Sequence, residues 1–198
     1  MYLTNVSFTK MTERKSQIIS KAAVLIKKKG FDGTSMRDLA RSLDLEASSL
    51  YHHIKSKDEL LSHICFEMAE AFAIGLAEVN DIYFNAEEKL RMAVQSHIGL
   101  LTQYPEKAYI FVNEWRKLNE TDLAKFVILR GNYERGIAEI VKNGEDEGLF
   151  NEVDRKFAVL TILATINWVV EWYKADGNMS ATEIADKLTD FILTGLKK

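Results

Sequence analysis

The chain is poor in the residues that punctuate a fold: 198 residues contain one proline, Pro105, one cysteine, Cys65, and ten glycines. An all-β sandwich needs a turn signal about every ten residues, and this sequence does not supply them. A lone cysteine excludes an intramolecular disulfide and fits a reducing, cytoplasmic setting. No Gly-rich phosphate loop, Cys/His cluster, carboxylate-plus-His pattern or Ser/His/Asp set is visible. The expectation is therefore no catalytic residue, no metal site, no cofactor and no enzyme. Residues 1–10 mix Thr, Asn and Ser with scattered apolar residues, so no secretory leader is read there. The longest apolar run, 157–170, is interrupted by Thr161, Thr165 and Asn167 and is shorter than the ~20 residues of a membrane span. No membrane partner is expected. What is abundant is apolar residue content, 47%, enough in a chain of this length to build a core without staples.

Charge is unevenly spread. Residues 1–57 hold eleven basic and five acidic side chains, and the remainder holds fifteen and twenty-four, so that +6 and −9 compose the net −3. A basic region on an acidic one suits a polyanion partner for the first. The alternative is that Lys27, Lys28 and Lys29 are only the solvated last turn of a helix.

Apolar spacing predicts helices throughout. Ile18, Ile19, Ala22, Ala23 and Ile26 form one stripe over 13–29, which Gly30 ends. After the turn Phe31-Asp32-Gly33, Thr34 or Ser35 caps a second helix bearing Met36, Leu39, Ala40 and Leu43. Asp44-Leu45-Glu46 leads to a third short helix, 47–53, with Leu50 and Ile54 inward, which makes a helix-turn-helix. Ser56 caps a fourth, whose stripe Leu61, Ile64, Cys65, Met68 and Phe72 runs to about Val79. That helix joins a small domain, 1–57, to a larger one, 58–198, as a strut. Further helices are predicted over 86–104, 105–118, 121–147, 154–174 and 180–196, the last capped by Ser180 with Glu183 three residues on. The predicted fold is all-α.

The string Gly30-Phe31-Asp32-Gly33-Thr34-Ser35-Met36-Arg37-Asp38-Leu39-Ala40, followed by Leu50-Tyr51-His52-His53-Ile54-Lys55-Ser56-Lys57-Asp58-Glu59-Leu60-Leu61, resembles the TetR family of transcriptional regulators. The resemblance covers about the first sixty residues, with Ile54 where the family usually has Phe. The segment Gly148-Leu149-Phe150, the stretch 168–173, Asp176-Gly177 and 180–184 look like the acyl-CoA-responsive branch. The resemblance implies a homodimer bound to a pseudo-palindromic double-stranded DNA operator and released by a small hydrophobic effector such as a fatty acyl-CoA. Repression is the expected sign of regulation. A DNA-binding architectural or adaptor protein without a small-molecule effector is the alternative.

In a helix-turn-helix the second short helix enters the major groove and the first crosses the backbone. Ser48, Ser49, Tyr51 and His52 lead that helix here, while Thr34 and Ser35 sit at a helix N-terminus that favours phosphate. Lys57 is expected to add a point charge. Adjacent His52 and His53 diverge on a helix, which disfavours a metal.

In the larger domain the candidate ligand-binding residues are Phe72, Phe111, Trp115, Arg130, Tyr133, Asn167, Trp168, Glu171 and Trp172. Arg130 interrupts the stripe Phe126, Tyr133, Ile137 and Val141, so it either pairs with Glu114 or Glu171 or anchors an acidic head group. Helix 154–174 has two apolar faces, one carrying Val159, Ile162, Ile166, Val170 and Tyr173 and the other Leu160, Ala164, Trp168 and Trp172. One of them is expected to meet a second subunit. Ala158, Thr161, Ala164 and Thr165 would allow close approach there, with Ile184, Leu188 and Phe191 as a second ridge.

Overall fold

The computed structural model describes residues 13–197. The expectation drawn from residues 1–10 lies outside them. Ten α-helices follow in order: α1 (Glu13–Lys29), α2 (Met36–Ser42), α3 (Ala47–His53), α4 (Lys57–Asp81), α5 (Ala86–Gln103), α6 (Pro105–Asn113), α7 (Glu120–Asp146), α8 (Arg155–Asn167), α9 (Val169–Trp172) and α10 (Ala181–Leu196). A 3-10 turn, Trp115–Lys117, separates α6 from α7. Among the described residues the only β pairing is an isolated bridge between Phe150 and Lys197.

Local chemistry sets the helix ends. Gly30, at φ 76°, still donates its N–H to Ile26 O at 2.8 Å and then turns the chain in a left-handed conformation that other residues rarely adopt. Ser35, not Thr34, caps α2: its hydroxyl accepts Asp38 N–H, and the Asp38 carboxylate accepts Ser35 N–H in return. Ser56 Oγ accepts Glu59 N–H at 3.0 Å ahead of α4. Ser180 and Glu183 form the same reciprocal box before α10. The helix expected over 154–174 is interrupted at Trp168, where α8 gives way to α9. The β-branched pair Val169 and Val170 lowers helical propensity at that point, and the Asn167 side chain is drawn inward to a hydrogen bond with His97.

Two compact units result. Of the described residues, one comprises 13–70 with Tyr104–Val127, the other Ala71–Gln103 with 128–197. In the first, a single core gathers Ile18, Ile19, Leu39, Leu50, Ile54 and Ile64 with Ile110, Leu118 and Phe126. The charge boundary at 57/58 therefore runs through a hydrophobic core. Charge changes sign there, but the apolar side chains that complete the core come from a segment some fifty residues later. In the second unit α10 and α8 pack along α5. A Cβ on Gly144 would run into the Phe150 ring, so glycine lets that buried aromatic seat against α7.

The stretch Ala47–Asp81 contains a window long and apolar enough to cross a membrane by length and composition, but 56% of that window is buried inside the protein. That burial is what a core helix shows. Exposed apolar side chains include Phe157 (70% exposed) and Leu160 on α8, Trp168 (63%) just after it and Phe191 (73%) on α10.

Candidate nucleic-acid interface and ligand site

The turn between α2 and α3 passes through Asp44 at φ 52°, a left-handed conformation that Asp tolerates better than most residues. Leu45 N–H closes the turn on Ala40 O at 3.0 Å. With Leu50 and Ile54 wholly buried, the helical period puts Ala47, Ser48, Tyr51 and His52 on the solvent face of α3. Tyr51 is 50% exposed and Ser49 is half-buried beside this face. The face is small and polar at its leading end and aromatic further on, which suits close approach to a groove.

Three other residues expected at phosphates already have partners within the protein. Thr34 is buried, and its hydroxyl donates to Gly30 O at 2.9 Å. Ser35 is occupied by the cap: its hydroxyl donates to Asp38 Oδ2 at 2.6 Å. Ser35 and, behind it, Lys29 hold the Asp38 carboxyl down at about 2. Lys57 Nζ donates to Phe31 O at 2.8 Å and stands 4.3 Å from the Phe31 ring centroid. Lys57 thus pins the α1–α2 turn to the start of α4, unlike the solvent-facing point charge expected. Within the Lys27, Lys28, Lys29 run, Lys27 pairs with Glu106 at 3.9 Å and Lys29 with Asp38 at 3.3 Å. Sequence reasoning passed over Arg37 and Arg41 on α2 and Lys55 after α3, all exposed. Their exposure follows from the helical phase set by buried Leu39 and Ala40, which is the signal that could have found Arg37 and Arg41.

The nine candidate ligand residues fall into separate groups. Phe111 and Trp115 belong to the first unit and pack on Phe126, with ring centroids 5.5 and 5.7 Å away. They pack, half-buried, against its core. Trp168, at the break between α8 and α9, and Glu171 and Trp172 on α9 are exposed. Arg130 lies 3.5 Å from Glu134, one turn on along α7. The two carboxylate oxygens of Glu114 are taken by Phe31 N–H on Oε1 and by Lys117 on Oε2. Among the small residues of α8, Ala158 is buried while Thr161 and Ala164 are exposed, and on α10 Ile184 is buried while Phe191 is not. The close-approach set is therefore narrower than the spacing predicted.

The remaining three, Phe72, Tyr133 and Asn167, meet around a residue that sequence reasoning missed. His97 on α5 is 3% exposed. Its Nδ1 lies 2.8 Å from Tyr133 Oη and its Nε2 3.1 Å from Asn167 Oδ1, and the Phe72 ring stacks on it at 4.2 Å between centroids. Burial holds the imidazole neutral, with its pKa pulled down to about 4, and pushes the Tyr133 phenol above its ordinary value. A neutral ring has one N–H. Since Asn167 Oδ1 only accepts, Nε2 donates and Nδ1 accepts from the Tyr133 hydroxyl. The position of His97 among Ala93, Val94, Ile98 and Leu101 on the buried stripe of α5 was the available signal.

Comparison with known proteins agrees with this architecture. The family model described as "Bacterial regulatory proteins, tetR family" matches residues 18–64, and "Tetracyclin repressor-like, C-terminal domain" matches 84–196. The HTH-type transcriptional repressor KstR2 of Mycolicibacterium smegmatis is 24% identical over 185 residues, 92% of this chain and 90% of that protein. PfmR, a TetR family transcriptional regulator from Thermus thermophilus, superposes with a TM-score of 0.83 at 30% identity, covering 92% of this chain and 100% of that one. AibR, solved in complex with isovaleryl coenzyme A and operator DNA, superposes with a TM-score of 0.81 at 29% identity, covering 90% and 97%. Two family models that between them span both the helix-turn-helix and the helices beyond it make the chain a member of the TetR family of bacterial transcriptional regulators, a DNA-binding protein and not an enzyme.

Proposed function

We propose that this regulator is a homodimeric repressor, acting in the cytoplasm, whose second unit binds an acyl-CoA thioester and thereby releases a pseudo-palindromic operator. The observation that carries the reading is the similarity to AibR, whose structure holds both isovaleryl coenzyme A and operator DNA. The resemblance to the KstR2 repressors along nearly the whole chain supports the sign of regulation. In this reading Ser48, Ser49, Tyr51 and His52 meet the major groove, while Arg37, Arg41 and Lys55 supply phosphate contacts. Phe72, Tyr133 and Asn167 line the effector site. Arg130, one turn before Glu134 and on the same helix as Tyr133, serves its acidic head group. Binding of effector and of DNA to different conformations makes each oppose the other by the same factor.

Fluorescence anisotropy with DNA fragments selected by the protein from a genomic library, titrated with isovaleryl, octanoyl and palmitoyl coenzyme A, tests this. Release by at least one thioester is expected. Retention of DNA at saturating levels of all three rejects the acyl-CoA reading. Failure to select any preferred fragment rejects operator binding.

A further inference from the structure

We propose that the His97 Nε2–H is the donor that recognises the effector's carbonyl oxygen, and that Asn167 Oδ1 occupies this donor in the free protein and yields it when effector binds. The proposal rests on the reading of the second unit as effector-binding.

Packing alone does not account for a histidine at this place. His97 shares the buried stripe of α5 with Ala93, Val94, Ile98 and Leu101, and Phe72 covers its ring. A leucine would fill that space without the cost of burying two polar nitrogens. The ring is instead satisfied at both nitrogens by side chains from two other helices, Tyr133 on α7 and Asn167 on α8. The two partners differ in what they can give up. Tyr133 Oη is the donor that fixes which nitrogen carries the proton, because a hydroxyl hydrogen on Nδ1 leaves the single N–H on Nε2. Asn167 supplies only an acceptor, and another acceptor can replace it with no change in the proton arrangement.

Asn167 is also the member best placed to move. It is half-buried, it is the last residue of α8, and the helix is interrupted at the next residue. Its neighbour Trp168 is 63% exposed, so the buried ring lies one side chain beneath the α8–α9 break. A carbonyl oxygen matches the amide oxygen it displaces in charge and geometry. On its chain side such a carbonyl carries only apolar carbon, which suits the apolar ring of Phe72 stacked on His97. The class of ligand so recognised is a carbonyl compound with an apolar tail, as a thioester or an uncharged acyl derivative.

The competition between Asn167 and ligand gives two substitutions opposite effects. Calorimetric titration of the full-length protein with isovaleryl and palmitoyl coenzyme A, beside DNA release, reads them. His97→Leu should weaken the better-binding thioester about tenfold or more, the loss of one buried hydrogen bond. Asn167→Ala should tighten it severalfold, because the His97 N–H is then unpaired in the free protein and gains more from the carbonyl. A purely structural triad predicts that both variants lose stability and that neither tightens binding. If both variants bind and respond like the wild type, the effector reading stands and the assignment to His97 is wrong. If neither thioester binds the wild type, the effector reading falls and this proposal with it. Should His97→Leu fail to fold, Asn167→Ala decides alone: tighter binding supports the proposal, and unchanged or weaker binding overturns it.

Discussion

The Glu114 carboxylate accepts the main-chain N–H of Phe31 at 3.3 Å, across 83 positions of sequence. The bond ties the end of α6 to the turn that leads into the helix-turn-helix. Lys117 reinforces it, reaching Glu114 at 2.9 Å and Asp32 at 2.6 Å. Glu114 is buried, so its removal leaves an unpaired N–H in the core of the first unit.

Glu114→Ala should therefore lower the stability of the first unit by about 1–3 kcal/mol. DNA affinity should fall with it, because the turn that orients α2 loses its anchor. Glu114→Gln keeps an acceptor for Phe31 and loses only the charge facing Lys117, so it should be milder. Urea denaturation followed through amide exchange of α1–α3 reads both; equal losses for Ala and Gln would make the ion pair, not the Phe31 bond, the dominant contact.

Lys57 and Lys55 should behave differently in salt. Lys57→Ala removes the donor to Phe31 O and the cation over its ring, so the melting temperature and DNA affinity should drop while the salt slope stays unchanged. Lys55→Ala should leave the melting temperature alone and reduce the slope of log K against log salt by about 0.9, one phosphate contact. Affinities measured across a salt series separate the two, and a reduced slope for Lys57→Ala would restore it to the phosphate-contacting set.

His97 makes stability pH-dependent in a stated window. Its folded pKa, about 4, lies below the ordinary 6.5 because burial disfavours the charged ring between Tyr133, Asn167 and Phe72. The unfolded chain binds the proton more readily, so stability is complete above about 6.5 and falls as pH drops toward 4. The full effect is about 3 kcal/mol. Denaturation of wild type and His97→Leu at a series of pH values should show the variant lacking this decline; parallel curves would exclude His97 as its source.

The exposed apolar face of α8 and α10 predicts where two copies meet. Phe157, Leu160, Trp168 and Phe191 leave an apolar surface that water does not favour, and Thr161 and Ala164 permit close packing between the larger groups. Thr161→Arg should weaken the dimer and Trp168→Arg should do so more strongly, with the helical content retained. Sedimentation velocity over a range of protein concentrations checks this. An unperturbed dimer in both variants would move the interface to another face.

Periodicity and capping chemistry suffice to read nearly every helix in this chain, because both act within a turn or two of backbone. Ser35 with Asp38 and Ser180 with Glu183 specify helix starts from four consecutive residues, and the order of turn, cap and helix over 30–61 is the family's own. Local rules do not reveal which stripe meets which. Ile110, Leu118 and Phe126 complete the core under the helix-turn-helix from far along the chain, and a boundary drawn from charge misses them. Lys57 looks like a phosphate contact until the fold brings Phe31 O within 2.8 Å of it. His97 looks like one polar residue on an apolar stripe until α7 and α8 bring Tyr133 and Asn167 to its two nitrogens. A side chain's chemical type is written in the sequence, but whether it is spent inside the fold or left for a ligand depends on partners that only tertiary packing brings within hydrogen-bond distance.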